Sequence, residues 1–152
     1  MNTRRSFVDK RDTAPKPQVK VLQKAGGRLF PAGAMLIASP LAVREVVAQI
    51  PTGALLLLSD LRQHLALRYG ADYTCPLTTG IFLRIMAEAA EEEGDATPYW
   101  RVVRDDGRLI DKLPGGAAAQ ARKLMNEGVP CRNSGRTWRA DKVLTLRWRP
   151  AR

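Results

Sequence analysis

The stretch TPYWRVVRDDGRLIDKLPGG, residues 97–116, has the pattern of two short β-strands joined by a tight turn. The dipeptide Asp106-Gly107 suits the bend, because glycine readily adopts the positive φ that a two-residue hairpin turn requires. Segment 117–128 follows, rich in Ala and Leu, and predicts a helix stopped by Gly128. The residues in front of this stretch indicate what kind of domain the hairpin belongs to.

Three helices are predicted before the hairpin, over about residues 40–50, 60–69 and 76–93. Two of them have a proline at the first helical position, where its missing N–H costs nothing. A short apolar strand at 32–39 precedes the first helix. The predicted caps are Ser39, Ser59 and Cys75 at the N-termini and Gly70 just after the second helix.

Helices, a short hairpin and then a packing helix form the order expected of a winged-helix domain, so the predicted fold class is mainly α with a small β-hairpin as the wing. In such domains the helix before the wing usually enters a groove of the nucleic acid, and the wing touches its backbone. The predicted apolar face of that helix consists of Leu77, Ile81, Ile85 and Met86. This leaves Thr78, Thr79 and Arg84 free to point elsewhere.

With 152 residues, the chain is expected to form one domain, at residues 32–130. A basic arm at 1–31, expected to be flexible, precedes it, and a basic hairpin-like tail at 131–152 follows. The formal net charge is +10, which favours a polyanionic partner, although charge alone does not distinguish DNA, RNA and a membrane surface. No signal or membrane-spanning pattern is found, so a soluble cytoplasmic protein is expected. The protein is also expected to be a monomer. Cys75 and Cys131 match no zinc spacing, and no metal or cofactor is expected.

Four motifs, taken in order, resemble the DNA-binding domain of the alkylguanine-DNA alkyltransferases, also called methylated-DNA:protein-cysteine methyltransferases. They are IPTG at 50–53, TTG at 78–80, PYWRVVRDDG at 98–107 and GGAAAQARKLMNEGV at 115–129. The resemblance covers about residues 41–130 and implies a DNA-binding protein of the cytoplasm, associated with the nucleoid.

The reacting residues of that family are replaced in this chain. In the enzymes a cysteine in P-C-H-R takes an alkyl group from a flipped guanine, helped by a histidine and a glutamate. Tyr99 stands at the cysteine position and Trp100 at the histidine position, while Glu127 matches the glutamate. A phenol with a pKa near 10 is a poor nucleophile at neutral pH, so no alkyl transfer is expected at Tyr99. The chain is therefore most similar to the non-enzymatic alkyltransferase-like proteins, which bind alkylated DNA for excision repair.

The resemblance implies a duplex DNA partner that contains alkylated bases, and a repair protein as a further partner. Tyr99 and Trp100 are expected to line a lesion pocket, where aromatic rings stack on a displaced base. The alternative that both rings merely pack under the wing stays open, most evenly for Trp100. The residues expected to contact DNA are Thr78, Thr79, Arg84, Arg101, Arg104, Arg108 and Lys112.

Two further departures leave base flipping as a hypothesis. Leu58 aligns with the family's tyrosine that helps rotate the nucleotide, and Leu77 aligns with the arginine that fills the gap. Leu77 is expected to be a core or helix-entry residue, with insertion between bases as the alternative.

Two other functions are kept as alternatives. One is an alkyltransferase that uses Cys75 as acceptor, since a helix N-terminus lowers a thiol's pKa. The other is an RNA- or protein-binding module that reuses the fold.

Overall fold

The structure, a computed structural model, describes residues 5–151. The helices are α1 (Phe7–Thr13), α2 (Pro40–Val47), α3 (Leu58–Arg68), α4 (Pro76–Glu93), α5 (Gly116–Asn126) and α6 (Val143–Leu146), with a 3-10 turn at Tyr99–Arg101. The strands are β1 (Gln18–Leu22), β2 (Gly33–Ile37), β3 (Leu56–Leu57), β4 (Tyr73–Thr74), β5 (Val102–Val103), β6 (Cys131–Ser134) and β7 (Thr137–Ala140). Within residues 5–151, no helix is both long and apolar enough to cross a bilayer.

The strands form small, separate sheets. β2 lies in the middle of the first sheet, antiparallel to β1 and parallel to β4. β3 and β5 form a short parallel pair, in which Leu56 lies opposite Val102. β6 and β7 form an antiparallel hairpin near the C-terminus. The fold is therefore mixed α/β, with helices supplying most of the regular structure, and the prediction of a mainly α fold with one hairpin is only roughly right.

The helix starts predicted from proline and cap residues are confirmed at α2 and α4. The Ser39 side chain accepts a hydrogen bond from the backbone N–H of Ala42, and Pro40 is the first residue of α2. α4 begins at Pro76 with Cys75 as N-cap, although the thiol makes no capping hydrogen bond. Proline suits these positions because its fixed φ is already helical.

The start of α3 differs from the prediction, because Ser59 is inside the helix and is not its N-cap. α3 begins at Leu58, directly after β3. The backbone N–H of Ser59 donates to the carboxylate of Asp105, at 3.0 Å. A residue distant in sequence thus satisfies one of the N–H groups that a helix leaves unpaired at its start.

The helices and short strands enclose two neighbouring apolar clusters. The larger cluster gathers buried residues of α2, α3 and α4, including Val43, Leu61 and Leu83. The smaller cluster packs α5 against β3, β5 and the C-terminal hairpin, around Leu55 and Leu124. Together they hold α3, α4 and the loop 97–113 in fixed positions relative to one another.

The prediction of a flexible arm at 1–31 is wrong for the residues that form α1 and β1; residues 1–4 lie outside the described part of the chain. Phe7 and Val8 of α1 each donate a backbone N–H to the carboxylate of Glu92, at 3.0 Å. β1 pairs along its whole length with β2. The partners that order this segment lie far away in sequence, so composition and periodicity did not reveal them.

The predicted wing hairpin is also wrong, although its turn is present. The N–H of Gly107 donates to the carbonyl of Arg104, which closes the turn. The two arms of the turn do not pair as a ladder, since β5 pairs with β3 and Leu109 donates its N–H to Trp138 of β7. Each arm finds its partner in a strand that is remote in sequence.

Candidate nucleic-acid interface

A groove of about 600 Å³ runs along the exposed face of α4. Its walls come from α1, from the start of α3, and from the loop that contains Arg104 and Lys112. Its floor is apolar and includes Leu58, Ile110 and Leu113. A concave surface with an apolar floor is suited to hold a base or another flat ligand.

Five cationic side chains line the groove, and no Asp or Glu among residues 5–151 lines it. They are Lys10, Arg62, Arg84, Arg104 and Lys112. None of these five takes part in the ion pairs found within the described part of the chain, whereas nine other Lys and Arg residues do. A cluster of cations without carboxylate partners produces a positive potential that attracts polyanions.

α4 presents a different face from the one predicted. Leu77 and Ile81, expected in the core, are 59% and 56% exposed. With Arg84 they follow at i, i+4 and i+7, so they share one face of the helix, and all three line the groove. Of the predicted apolar face only Met86 is buried, and it lies with Leu83 and with small residues such as Ala87 and Ala90. Leu77 is therefore not a core residue, and of the two predicted positions it takes the helix entry, as the second residue of α4.

The two threonines of α4, which were expected to contact DNA, do not present their hydroxyls to the groove beside this helix. The Thr79 side chain is buried, and its hydroxyl donates to the carbonyl of Cys75, at 2.7 Å. Thr78 is half-exposed and does not line the groove. The first turn of α4 therefore offers Leu77, rather than a hydroxyl, to a ligand.

The turn 104–108, which places Arg104 in the groove, is fixed by contacts on both of its sides. Asp105 caps α3, which fixes the turn against the start of that helix. On the other side, Gly107 has φ +90°, and a Cβ at this position would lie 2.9 Å from the carbonyl oxygen of Ala140. Only glycine fits both the backbone conformation and this close approach.

Two predicted DNA contacts, Arg101 and Arg108, lie outside the groove. The guanidinium of Arg101 is mostly buried, where it pairs with Glu127 and donates to the carbonyl of Ile50 at 2.6 Å. Arg108 pairs with Asp106 at 2.8 Å and does not line the groove. The guanidinium of Arg101 is thus buried and already bonded, whereas the exposed pair of Arg108 stabilises little, and Arg108 as a DNA contact stays a prediction.

Tyr99 does not line an open pocket, because its side chain is only 2% exposed and belongs to the larger core cluster. Its hydroxyl donates to a carboxylate oxygen of Glu91, at 2.6 Å. Burial and the adjacent Glu91 carboxylate both raise the pKa of the Tyr99 phenol. Tyr99 is thus a protonated core residue, and the expectation that it contacts a lesion is wrong.

Trp100 is half-buried and packs against both apolar clusters. Its indole N–H donates to Glu127 at 3.0 Å, and the ammonium of Lys123 lies 4.7 Å from the ring centroid. Burial raises the pKa of Glu127, but the hydrogen bonds from Arg101 and Trp100 outweigh burial and hold the pKa below its ordinary value. For Trp100 the packing alternative is therefore the one observed, since the ring does not line the groove.

The loop around these aromatic residues is fixed by a buried glutamine that the sequence analysis did not single out. Gln120 of α5 donates to the carbonyls of Trp100 and Val102, at 3.0 and 2.8 Å. Its side-chain oxygen accepts the N–H of Ile110, at 2.8 Å. Gln120 thus ties both ends of the loop to α5 and satisfies backbone groups that have no ladder partner.

Neither cysteine is presented to the groove. Cys75 is buried, and its backbone carbonyl accepts the hydroxyl of Thr79. Burial raises the pKa of the Cys131 thiol to about 11, which disfavours its thiolate. His64 lines a separate cavity with Gln49 and Leu67.

Of the predicted contacts, Thr79, Arg84, Arg104 and Lys112 line the groove, although their role in DNA binding stays a prediction. Residues that the sequence analysis missed there include Phe7, Lys10 and Arg62. One signal for α1 existed, because Ser6 followed three residues later by Asp9 is a pattern typical of a helix start. The burial of Tyr99 had no comparable signal.

No family model matches the chain, and no curated protein sequence matches it significantly. Solved structures do match, among them two of alkyltransferase-like proteins. The predicted resemblance to the non-enzymatic alkyltransferase-like proteins is therefore confirmed at the level of the fold.

Two of these structures are of the fission yeast S. pombe. One is Atl1 in complex with damaged DNA containing O6-carboxymethylguanine, with 18% sequence identity and a TM-score of 0.55. The other is an S. pombe ATL in complex with DNA, with 15% identity and a TM-score of 0.56. Each match covers 73% of this chain and 94% of the other chain.

Proposed function

We propose that this protein binds duplex DNA in the groove along α4 and recognises alkylated lesions there without removing the alkyl group. The observation that carries the proposal is the set of five cations that line the groove, with no acidic residue beside them in the described part of the chain. The fold adds support, because the two matching structures are complexes with DNA.

In this proposal α3 and α4 act as a helix-turn-helix, and the turn 104–108 takes the place of a wing. α4 enters a groove of the DNA duplex. The cations that line the protein's groove beside α4, among them Arg62, Arg104 and Lys112, contact phosphates of the duplex. Contacts of this kind fix the register of the protein on the duplex but carry no sequence information. Winged-helix docking thus remains part of the proposal, with a turn in place of a hairpin.

The lesion lies against the apolar floor of the groove in this proposal, and not against Tyr99 and Trp100. The exposed side chains of Leu77 and Ile81 stand one helical turn apart on the rim, where an apolar side chain is able to wedge between base steps. The floor supplied by Leu58, Ile110 and Leu113 offers an apolar surface to the alkyl group of a displaced base.

No alkyl group is transferred at Tyr99 in this proposal. The phenol is buried and donates a hydrogen bond to Glu91, and its raised pKa keeps it protonated at neutral pH. A protonated hydroxyl enclosed by core residues has neither the charge nor the access that a nucleophile needs. The protein would then act as a monomer on DNA in the cytoplasm, at the nucleoid, and present the lesion to a repair protein.

A competition experiment tests the proposal and separates it from binding of RNA. A labelled duplex is bound at a fixed salt concentration and competed with unlabelled duplex, single-stranded DNA and structured RNA of equal length. The proposal expects unlabelled duplex to compete best. Stronger competition by structured RNA would instead support a module that reused the fold for RNA, and absence of binding would refute both.

The groove itself is tested with the variant Lys112→Ala and the matched control Lys142→Ala. Both lysines are exposed, but only Lys112 lines the groove. Lys112→Ala is expected to weaken duplex binding at low salt more than the control does. Equal effects would show that overall charge, and not the groove, decides binding.

A further inference from the structure

The N-terminal helix α1 is bound to the C-terminal end of α4 by hydrogen bonds and an ion pair. Glu92 accepts the backbone N–H groups of Phe7 and Val8, which are otherwise unpaired at the start of α1. The side chain of Arg11 is only 6% exposed and pairs with Glu93 and with Asp12. These contacts place the side chains of α1 at fixed positions beside the groove.

Two cationic side chains lie over the ring of Phe7 at this end of the groove. The ammonium of Lys10 lies 4.7 Å from the ring centroid, and the guanidinium carbon of Arg84 lies 5.9 Å from it. Both distances are within the range of cation–π attraction, which orients the two side chains. All three residues line the groove.

The two cations are held near one ring without a carboxylate to neutralise them. Lys10 and Arg84 appear in none of the ion pairs within residues 5–151. Like charges repel, so gathering them is unfavourable until an anion is bound between or beside them. Glu92 and Glu93 at the end of α4 are already engaged by α1.

We propose that Lys10 and Arg84, oriented by Phe7, form a phosphate-binding site that extends the DNA contact from α4 onto α1. The anion is a phosphodiester of the bound duplex, so the inference rests on the proposed function and deepens it. α1 is then part of the DNA-binding surface and not only a cover on α4.

The test compares the salt dependence of duplex binding in Lys10→Ala, in the control Lys20→Ala and in the unchanged protein. Lys20 is exposed on β1 and does not line the groove. Each lost phosphate contact lowers the magnitude of the slope of log K against log salt by about 0.9. Lys10→Ala is therefore expected to show this decrease, and Lys20→Ala the unchanged slope.

A second variant, Phe7→Leu, tests the role of the ring. Leucine keeps an apolar side chain against α4 but has no π face for Lys10 and Arg84. We expect the affinity to fall about two- to fivefold while the slope is kept, because cation–π attraction is weak at an exposed site and no charge is removed.

The outcomes separate this inference from the proposed function. If the unchanged protein binds duplex and Lys10→Ala behaves like Lys20→Ala, the phosphate site on α1 is refuted and the groove proposal stands. If the unchanged protein does not bind duplex at all, both are refuted.

Discussion

Raising the salt concentration should weaken duplex binding steeply, by an amount that follows from the cations counted in the groove. Each phosphate contact contributes about −0.9 to the slope of log K against log salt, so five contacts give about −4.5. Between 50 and 200 mM salt, such a slope corresponds to a loss of affinity of roughly 500-fold. Removing one contact with Arg84→Ala changes the slope to about −3.6 and the loss to roughly 150-fold.

The measurement is fluorescence anisotropy of a labelled duplex at four or more salt concentrations. Arg122→Ala is the matched control, because Arg122 is exposed on α5 and does not line the groove. The control should keep the slope of the unchanged protein. The reasoning is refuted if the unchanged protein shows a slope shallower than about −2, or if both variants change the slope equally.

Three further predictions concern residues outside the groove. Tyr99→Phe removes the hydrogen bond to Glu91 and should lower the free energy of unfolding, measured by urea titration, by about 1 kcal/mol. The duplex affinity should stay unchanged. A tenfold weaker affinity would contradict the assignment of Tyr99 to the core. The hydrogen bond from Arg147 holds the pKa of Asp60 below its ordinary value, so the stabilisation is present above pH about 4 and lost as the pH falls through the lowered pKa. Asp60→Asn should therefore have a lower Tm than the unchanged protein at pH 7, and its Tm should fall less when the pH is lowered. An equal fall of Tm in the two proteins would contradict the ion pair. Buried Cys75 should gain no mass on incubation with excess alkylguanine-containing DNA, and a mass shift confined to Cys75 would establish the alkyltransferase alternative.

The local features of the fold could be predicted from sequence, because they depend on neighbouring residues. Ser39 before Pro40 marks the start of α2, and Pro76 marks the start of α4. The turn around Gly107 follows from a residue that tolerates positive φ. In each case the physical cause lies within a few residues of its effect.

Features that depend on distant partners could not be predicted in the same way. β5 has the apolar pattern of a strand, but nothing local specifies that Val102 pairs with Leu56 and not with the other arm of its turn. α1 is ordered by carboxylates of α4, about 85 residues further along the chain. α4 contains enough apolar residues for two possible faces, and tertiary packing selected the one that combines Leu83 and Met86 with small alanines.

The same distinction applies to the candidate site. Arg84, Arg104 and Lys112 were named from charge and position, and they lie in one groove. Arg101 was named for the same reasons, but its guanidinium is engaged by Glu127, which only the folded chain shows. Tyr99 was expected in a pocket because of the family motif, yet its ring fills the core.

Lesion recognition is tested most directly by the affinity for two duplexes of identical sequence, one of which contains a single alkylguanine. Both are measured at one salt concentration, about 100 mM, where phosphate contacts still hold the duplex. The protein is expected to bind the alkylated duplex several-fold more tightly, and Arg84→Ala to weaken both duplexes by the same factor, since a phosphate contact does not read the base. Equal affinity for the two duplexes would contradict lesion recognition, and no binding to either would contradict the DNA interface itself.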